Sequence, residues 1–179
     1  GLNSRGLAQI YIKALCQIKK VIYITYEDCK ENIPDIQNII NKNDGRILYI
    51  NRSQKKYTEQ ILQLCSFASE FKPHDFFFYS FPNDVVGVTS LNILEGKVTR
   101  YQINLTDHAF WLGARCIDKC IEFRDYGANV SVKYRGISKN IIAKLPFYPI
   151  INKDIPFQGF PFRIVNGQKV VFSGGALYK

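Results

Sequence analysis

The sequence predicts an α/β fold built on a mainly parallel sheet of about six strands. Three observations carry that expectation. Runs rich in β-branched and aromatic residues recur at 21–26, 46–50, 75–80, 98–104, 119–124 and 141–145. The segments between them are long enough for crossover helices, and several repeat apolar residues at three- and four-residue spacing. The runs are also close to continuously apolar instead of alternating, as strands covered on both faces are.

Taken in order, Gly1 to Gly6 is a polar, Gly-containing opening. Leu7, Tyr11, Ala14, Leu15 and Ile18 then fall at amphipathic helical spacing, with Asn3 or Ser4 placed to cap that helix. Val21 to Tyr26 reads as a strand buried on both faces. Asn32 and Pro34 mark the next helix start, Ile33, Ile36, Ile39 and Ile40 its apolar face, and Gly45 its end. Arg46 to Ile50 is the second strand. Ser53 is placed to cap a longer helix whose stripe is Tyr57, Ile61, Leu64, Cys65, Ala68 and Phe71, closed by Pro73. Asp75 to Ser80 is apolar enough to be a central strand. A short helix runs from Asn83 or Asp84 through Leu94, and Gly96 turns the chain into the strand at 98–104.

That strand ends on a polar turn holding Asp107 and His108, followed by a short helix to Gly113 that carries Trp111. An open α/β sheet binds its ligands beyond the carboxyl ends of its strands, which marks this turn as the candidate site. Spacing alone also fits a plain helix cap, with Asp107 bonding backbone amides and His108 solvated. Phe110 and Trp111 are expected in the core, ahead of use as a ligand-stacking platform. Lys119 to Arg124 is a further strand, 125–135 a helix or irregular crossover, and Ile141 to Leu145 the last strand of a domain spanning 1–145. Residues 146–168 hold Pro146, Pro149, Pro156 and Pro161 among aromatics, the composition of a linker packed on a surface. Residues 169–179 read as a fresh strand running into a Gly174-Gly175 turn, the opening of a second domain that the chain then cuts short.

Composition narrows the classes. With 179 residues and 46% apolar content, the chain can build one well-cored domain. No apolar run reaches the roughly 18 residues of a membrane span, and no signal-peptide pattern opens the chain. The absence of any Met points to a processed or cut end. Five cysteines, none in a Cys-x-x-Cys pair, read as reduced thiols and point to the cytoplasm. Cys116 and Cys120 are four apart but have no His or third Cys beside them, so no metal site is expected. The net charge of +9 is spread along the chain, without the aromatic-interleaved stripe of a nucleic-acid binder. It leaves two readings open: a solvated basic surface, or attraction to anionic lipid headgroups or phosphorylated substrates.

Two Gly-bearing turns frame the chain. Gly1 to Gly6 lies directly ahead of a helix, where free N–H groups favour an anion, although an ordinary cap fits as well. Gly174 and Gly175 are followed by Lys179, suited to a phosphate oxygen as a point charge, although Gly-Gly also marks plain turns. Between them, Asn104 to Gly113, Ile121 to Arg124, Tyr134 to Ile137, Leu145-Pro146 and Phe172 to Gly175 follow one another in a familiar order. Together they resemble the amino-terminal domain of bacterial nucleotide-sugar glycosyltransferases of the two-Rossmann (GT-B) type, especially those that build capsular or surface polysaccharides.

The resemblance implies a Rossmann-like, three-layer α/β/α acceptor-side domain, a donor-binding second domain and a reaction site in the cleft between them. It implies that His108 is the cleft histidine approaching the donor sugar. Asp107 beside it could orient the imidazole. Gly1, Asn3, Ser4 and Arg5 match the glycine-rich loop facing the donor phosphates, and Gly174, Gly175 and Lys179 match the start of the donor domain's phosphate loop. Arg124 and Arg135 stay open between structural ion-pair partners and cleft cations. The implied partners are a nucleotide-sugar donor and a glycan or lipid-linked acceptor, with no cofactor beyond that co-substrate and no nucleic acid. The resemblance also calls for a strand ahead of Gly1 and a donor domain beyond Lys179, without which a 179-residue piece is expected to be inactive. From another class stands a non-catalytic Rossmann-like module that binds an anionic ligand or partner through the basic surface.

Overall fold

The computed structural model describes residues 7–26, 34–52, 56–79, 82–104, 106–146, 156 and 159. Along them run α1 (Leu7–Leu15), β1 (Ile22–Tyr26), α2 (Pro34–Lys42), β2 (Arg46–Ile50), α3 (Tyr57–Phe71), β3 (Asp75–Phe78), α4 (Val85–Ile93), β4 (Thr99–Ile103), β5 (Lys119–Glu122), α5 (Asp125–Arg135), a 3-10 turn (Lys139–Ile141) and β6 (Ile142–Lys144). Every strand pair is parallel. The α/β class and the parallel pairing are as the sequence predicts. The described strands pair as two sheets, however: β1 with β2, and β3-β4-β5-β6 in chain order. Among the described residues β4 is the one neighbour of β3, whose Phe-rich sequence reads as central.

Local chemistry fixes the element ends. Asp44 takes the left-handed conformation after α2 at φ 54°. Gly45 then passes so close to β1 that a Cβ there would lie 2.3 Å from the Val21 carbonyl oxygen. α3 ends on Lys72 in the left-handed region, whose N–H returns to the Ala68 carbonyl, and Pro73 blocks continuation. Asp84 caps α4 by accepting from the Gly87 N–H at 2.8 Å. Residues 125–135, open between helix and crossover in the sequence, form α5, closed at Gly136.

Three apolar clusters hold these elements. Ile12 and Cys16 of α1 and its following turn meet Ile36 and Ile40 of α2 over Tyr23 and Ile47. Leu64 and Ala68 of α3 meet Ile50 and Leu94 over Ile24, Tyr26 and Phe76. Phe78, Leu91, Trp111, Ile117, Cys120 and Ile137 form the third cluster, under α4. Alternate residues of a strand point to opposite faces, so α2 and α3 cover opposite faces of the β1-β2 pair.

Several predicted faces need correction. In α1 the buried stripe is Ala8 and Ile12, continued by Cys16, at four-residue steps; Ile18 lies beyond the helix and is exposed. In α3, Tyr57 is exposed and Gln60 is buried beside Leu64 and Ala68, because the helix starts at Tyr57 and presents its Gln60 row to the sheet. No helix forms after Asp107: residues 107–116 make turns and bends. Trp111 is in the core as expected, whereas Phe110 is exposed. Ser53 is not the cap of α3, because the helix starts only at Tyr57 with Lys56 at the cap position and no side-chain cap bond. The candidate caps Asn3 and Ser4, the helix residue Ile33, nearly all of 146–168, and 169–179 lie outside the described residues.

Candidate functional site

The carboxyl edges of β4 and β5 meet at a buried polar cluster. Asn104 follows β4, and Glu122 ends β5 in the next rung of the ladder, where the Asn104 N–H donates to the Ile121 carbonyl at 3.0 Å. Glu122 is completely buried. A carboxylate withdrawn from water costs several kcal/mol unless donors surround it. Here Asn104 Nδ2 reaches both of its oxygens, at 3.0 and 2.9 Å, the Ser131 hydroxyl donates to Oε1, and Cys120 Sγ lies 3.5 Å from Oε1. Burial, with the Glu122 carboxylate beside it, pushes the Cys120 thiol above its ordinary range.

From this cluster a guanidinium reaches into the Asp107-His108 turn. Arg135, in the last turn of α5, donates through Nη1 to Ser131 Oγ at 2.8 Å. Its Nη2 donates to the carbonyls of Thr106, Asp107 and Ala109 at 2.8, 2.9 and 2.7 Å. One cation thus gathers three carbonyls within four residues of a turn that has no helix or strand of its own, and it also lies over the Trp111 ring. From the other side, Asn104 Oδ1 accepts the Thr106 N–H at 3.2 Å.

Asp107 is buried and turns toward Arg124, whose Nε and Nη2 both lie 2.5 Å from Oδ2. Its other oxygen rests on the first turn of α5: a Cβ on Gly127 would fall 2.5 Å from Asp107 Oδ1 and 2.6 Å from Glu122 Oε2. The positive end of a helix favours a carboxylate there. Arg124 is 71% exposed, so water screens the ion pair to at most about 1 kcal/mol. The outcome separates two neighbours in sequence. Asp107 is anchored inward, and His108 stands exposed to solvent at the carboxyl edge of the sheet.

Beside the turn lies a cavity of about 430 Å³ whose walls include Val85, Val88, Phe110, Trp111, Tyr134 and Arg135. The Leu112 N–H ties its rim to the Pro82 carbonyl, 2.9 Å away beyond the end of β3. Further along the edge, Asp84 is held above its ordinary carboxylate range by burial, opposed by the Gly87 N–H, Arg52 and the Tyr26 hydroxyl.

No family profile, curated protein or solved structure matches this chain.

Of the residues singled out in the sequence, the structure brings Asp107, His108, Arg124 and Arg135 to one place. Arg135 clamps the carbonyls of the turn, and Arg124 pairs with Asp107. Gly1, Asn3, Ser4, Arg5, Gly174, Gly175 and Lys179 lie outside the described residues. Asn104, Glu122, Gly127 and Ser131 are not singled out as site residues by the sequence reading. A signal existed: an acid inside the apolar Cys-Ile-Glu-Phe run demands a buried partner, and Gly127, Ser131 and Arg135 recur at four-residue steps along one helical row. Among the described residues, no group of three or more His, Cys, Asp or Glu is placed to hold a metal ion. Cys16, Cys65, Cys116 and Cys120 are free thiols.

Proposed function

We propose that the chain is the acceptor-side unit of a nucleotide-sugar-dependent glycosyltransferase, with His108 facing the reacting sugar. The observation that supports this reading best is the exposed imidazole, carried on a turn that a buried Glu122-Ser131-Arg135 relay holds rigid at the carboxyl edge of a parallel sheet. Rigid presentation of one polar group from a sheet edge suits transfer chemistry, where the acceptor hydroxyl must be placed and its proton accepted as the sugar bond to the diphosphate breaks. His108 would be the catalytic residue. Asp107, engaged with Arg124, would act as a positioning residue of the turn. The apolar cavity beside Trp111 would take part of a glycan or lipid-linked acceptor.

In the same reading the two parallel sheets belong to one Rossmann-like, three-layer unit, and the donor phosphates meet the loops at Gly1–Gly6 and Gly174–Lys179. The unit would work in the cytoplasm, its basic surface leaving room for contact with anionic lipid. The test is His108→Ala in the polypeptide that contains this chain, assayed for sugar transfer from nucleotide-sugar donors. Transfer should fall about a hundredfold or more with folding unchanged. Undiminished transfer would remove His108 from the chemistry. A parent protein that binds nucleotide anions but transfers no sugar would favour the non-catalytic anion-binding module instead.

A further inference from the structure

The cavity beside the Asp107-His108 turn is apolar from its floor to its mouth. Trp111, Val88, Ala114 and Cys116 belong both to its walls and to the third apolar cluster, so its floor is the core of the molecule. At the mouth, Val85, Phe110, Leu112 and Tyr134 are all exposed, Phe110 by 75% and Tyr134 by 72%. Single exposed apolar side chains are ordinary, but four gathered round one opening mark a binding surface. We propose that this cavity takes one apolar chain of an anionic amphiphile, an alkyl or isoprenoid chain that ends in a phosphate or carboxylate.

The walls select a chain over a glycan. A sugar ring carries a hydroxyl on most of its carbons, and each one buried without a partner is penalised. Carboxylates and carboxamides are the side chains that satisfy such groups two at a time. The described walls contain neither, and their hydroxyls are those of Thr89 and Tyr134. An apolar chain needs no such partners and gains by leaving water along its whole length. The exposed apolar mouth lets it run on past the end of the cavity, where a compact ligand would leave those side chains uncovered.

Cations set the sign of the head group. Arg135 is tied down, with Nη1 on Ser131 and Nη2 on three carbonyls, and so serves as wall. Arg115 is exposed at the rim, and Lys133 is a second exposed cation on the Tyr134 side, 5.2 Å from the centre of that ring. None of the described wall residues is acidic, so an anionic head meets attraction from the rim. The site is also preformed. The Leu112 N–H holds the Pro82 carbonyl at 2.9 Å, and a Cβ on Gly113 would fall 2.9 Å from Val88 Cγ2, so the turn is closed down on α4. Its volume of about 430 Å³ lies in the lower part of the range of roughly 300–1,000 Å³ found for small-molecule sites. As a statement about the acceptor, which it narrows to a lipid-linked one, the inference rests on the transferase reading; as a binding site it rests on the walls alone. A failed binding assay leaves the transferase with a glycan acceptor, and a failed transfer assay leaves the ligand in its cavity.

Trp111 is the only tryptophan of the chain, so its emission reads this cavity. Decyl phosphate, titrated into the 179-residue chain below its micelle concentration, should shift that emission saturably with the far-UV helix signal unchanged. Affinity should rise about fourfold per CH₂ group from hexyl to decyl phosphate, because each added group is withdrawn from water. Arg115→Gln should weaken decyl phosphate about threefold to fivefold and leave decanol unaffected. Thr89→Phe, which fills the cavity, should abolish the shift. Should that variant fail to fold, quenching of Trp111 by a chain brominated at its far end reads the same contact in the unaltered protein. Phosphatidylglycerol vesicles separate two sources of the same chemistry: a Trp111 shift with vesicles marks a membrane lipid, and a shift with monomers only marks a dispersed amphiphile. The site would be overturned by the absence of any shift, by a shift that comes with loss of helix, or by a maltooligosaccharide that displaces decyl phosphate. Affinity that ignores chain length would overturn it too, since a +9 surface attracts any phosphate.

Discussion

At the scale of single residues, position 127 shows how little space separates the groups of the candidate site. Gly127 is in the first turn of α5, and any Cβ there would meet two carboxylate oxygens inside van der Waals contact, neither on a side chain free to swing away. Gly127→Ala should therefore destabilise the fold by about 1–3 kcal/mol, read as a lower urea midpoint with unchanged slope. A variant as stable as the parent would mean that Asp107 and Glu122 are not packed against α5. Sequence reading found Asp107, His108, Arg124 and Arg135, because charged residues after strands draw attention. It passed over Glu122 and Gly127, since a buried acid and the glycine that makes room for it are recognisable only as a pair. Their partnership crosses a strand and a helix that no local spacing connects.

At the scale of elements, one ion pair pins β4 to the approach of β5. Arg100 is buried, and its Nε and Nη2 grip both oxygens of Asp118 at 3.0 and 2.9 Å, with the Leu91 carbonyl and Glu95 as secondary acceptors. The Arg100 side chain, and then its backbone N–H, hold the Asp118 carboxyl below the ordinary value of 3.8. A depressed folded-state pKa gives stability that is complete above the unfolded value and is lost as pH falls through the folded one. The chain should lose stability below pH 3.8 as Asp118 protonates, and Asp118→Asn should flatten that part of the profile. Above about pH 5 the variant should be less stable by about 1–2 kcal/mol, since Asp118 is partly solvated and Arg100 keeps other acceptors. Thermal melts across pH 3–7 would show it; identical profiles would mean the pair contributes nothing. Arg100 reads in the sequence as one more basic residue of a +9 chain, and only the sheet makes it an internal one.

At the scale of the whole molecule, burial separates the thiols. Cys16 and Cys120 are buried, while Cys65 and Cys116 are half-buried. Burial also pushes the Cys16 and Cys120 thiols upward, away from the reactive thiolate. Among these four thiols, Cys65 and Cys116 should react first with a maleimide under native conditions, and Cys120 only at the rate of global unfolding, measured by mass spectrometry of labelled peptides. Rapid labelling of Cys120 would mean that the third apolar cluster opens independently of the rest.

The sequence by itself determined the α/β class, the sites of the six described strands and several helix ends, because periodicity, proline, glycine and the Asp84 cap act within a few residues. It also determined that a polar turn follows β4. What the tertiary structure decided is how these parts meet: that the described strands pair as two sheets, that no helix follows Asp107, and that Asp107 turns inward while His108 faces solvent. These depend on packing between segments far apart in the chain. The Asp107-His108 turn takes its shape from three carbonyl bonds to Arg135, almost thirty residues away, and no spacing within the turn encodes them.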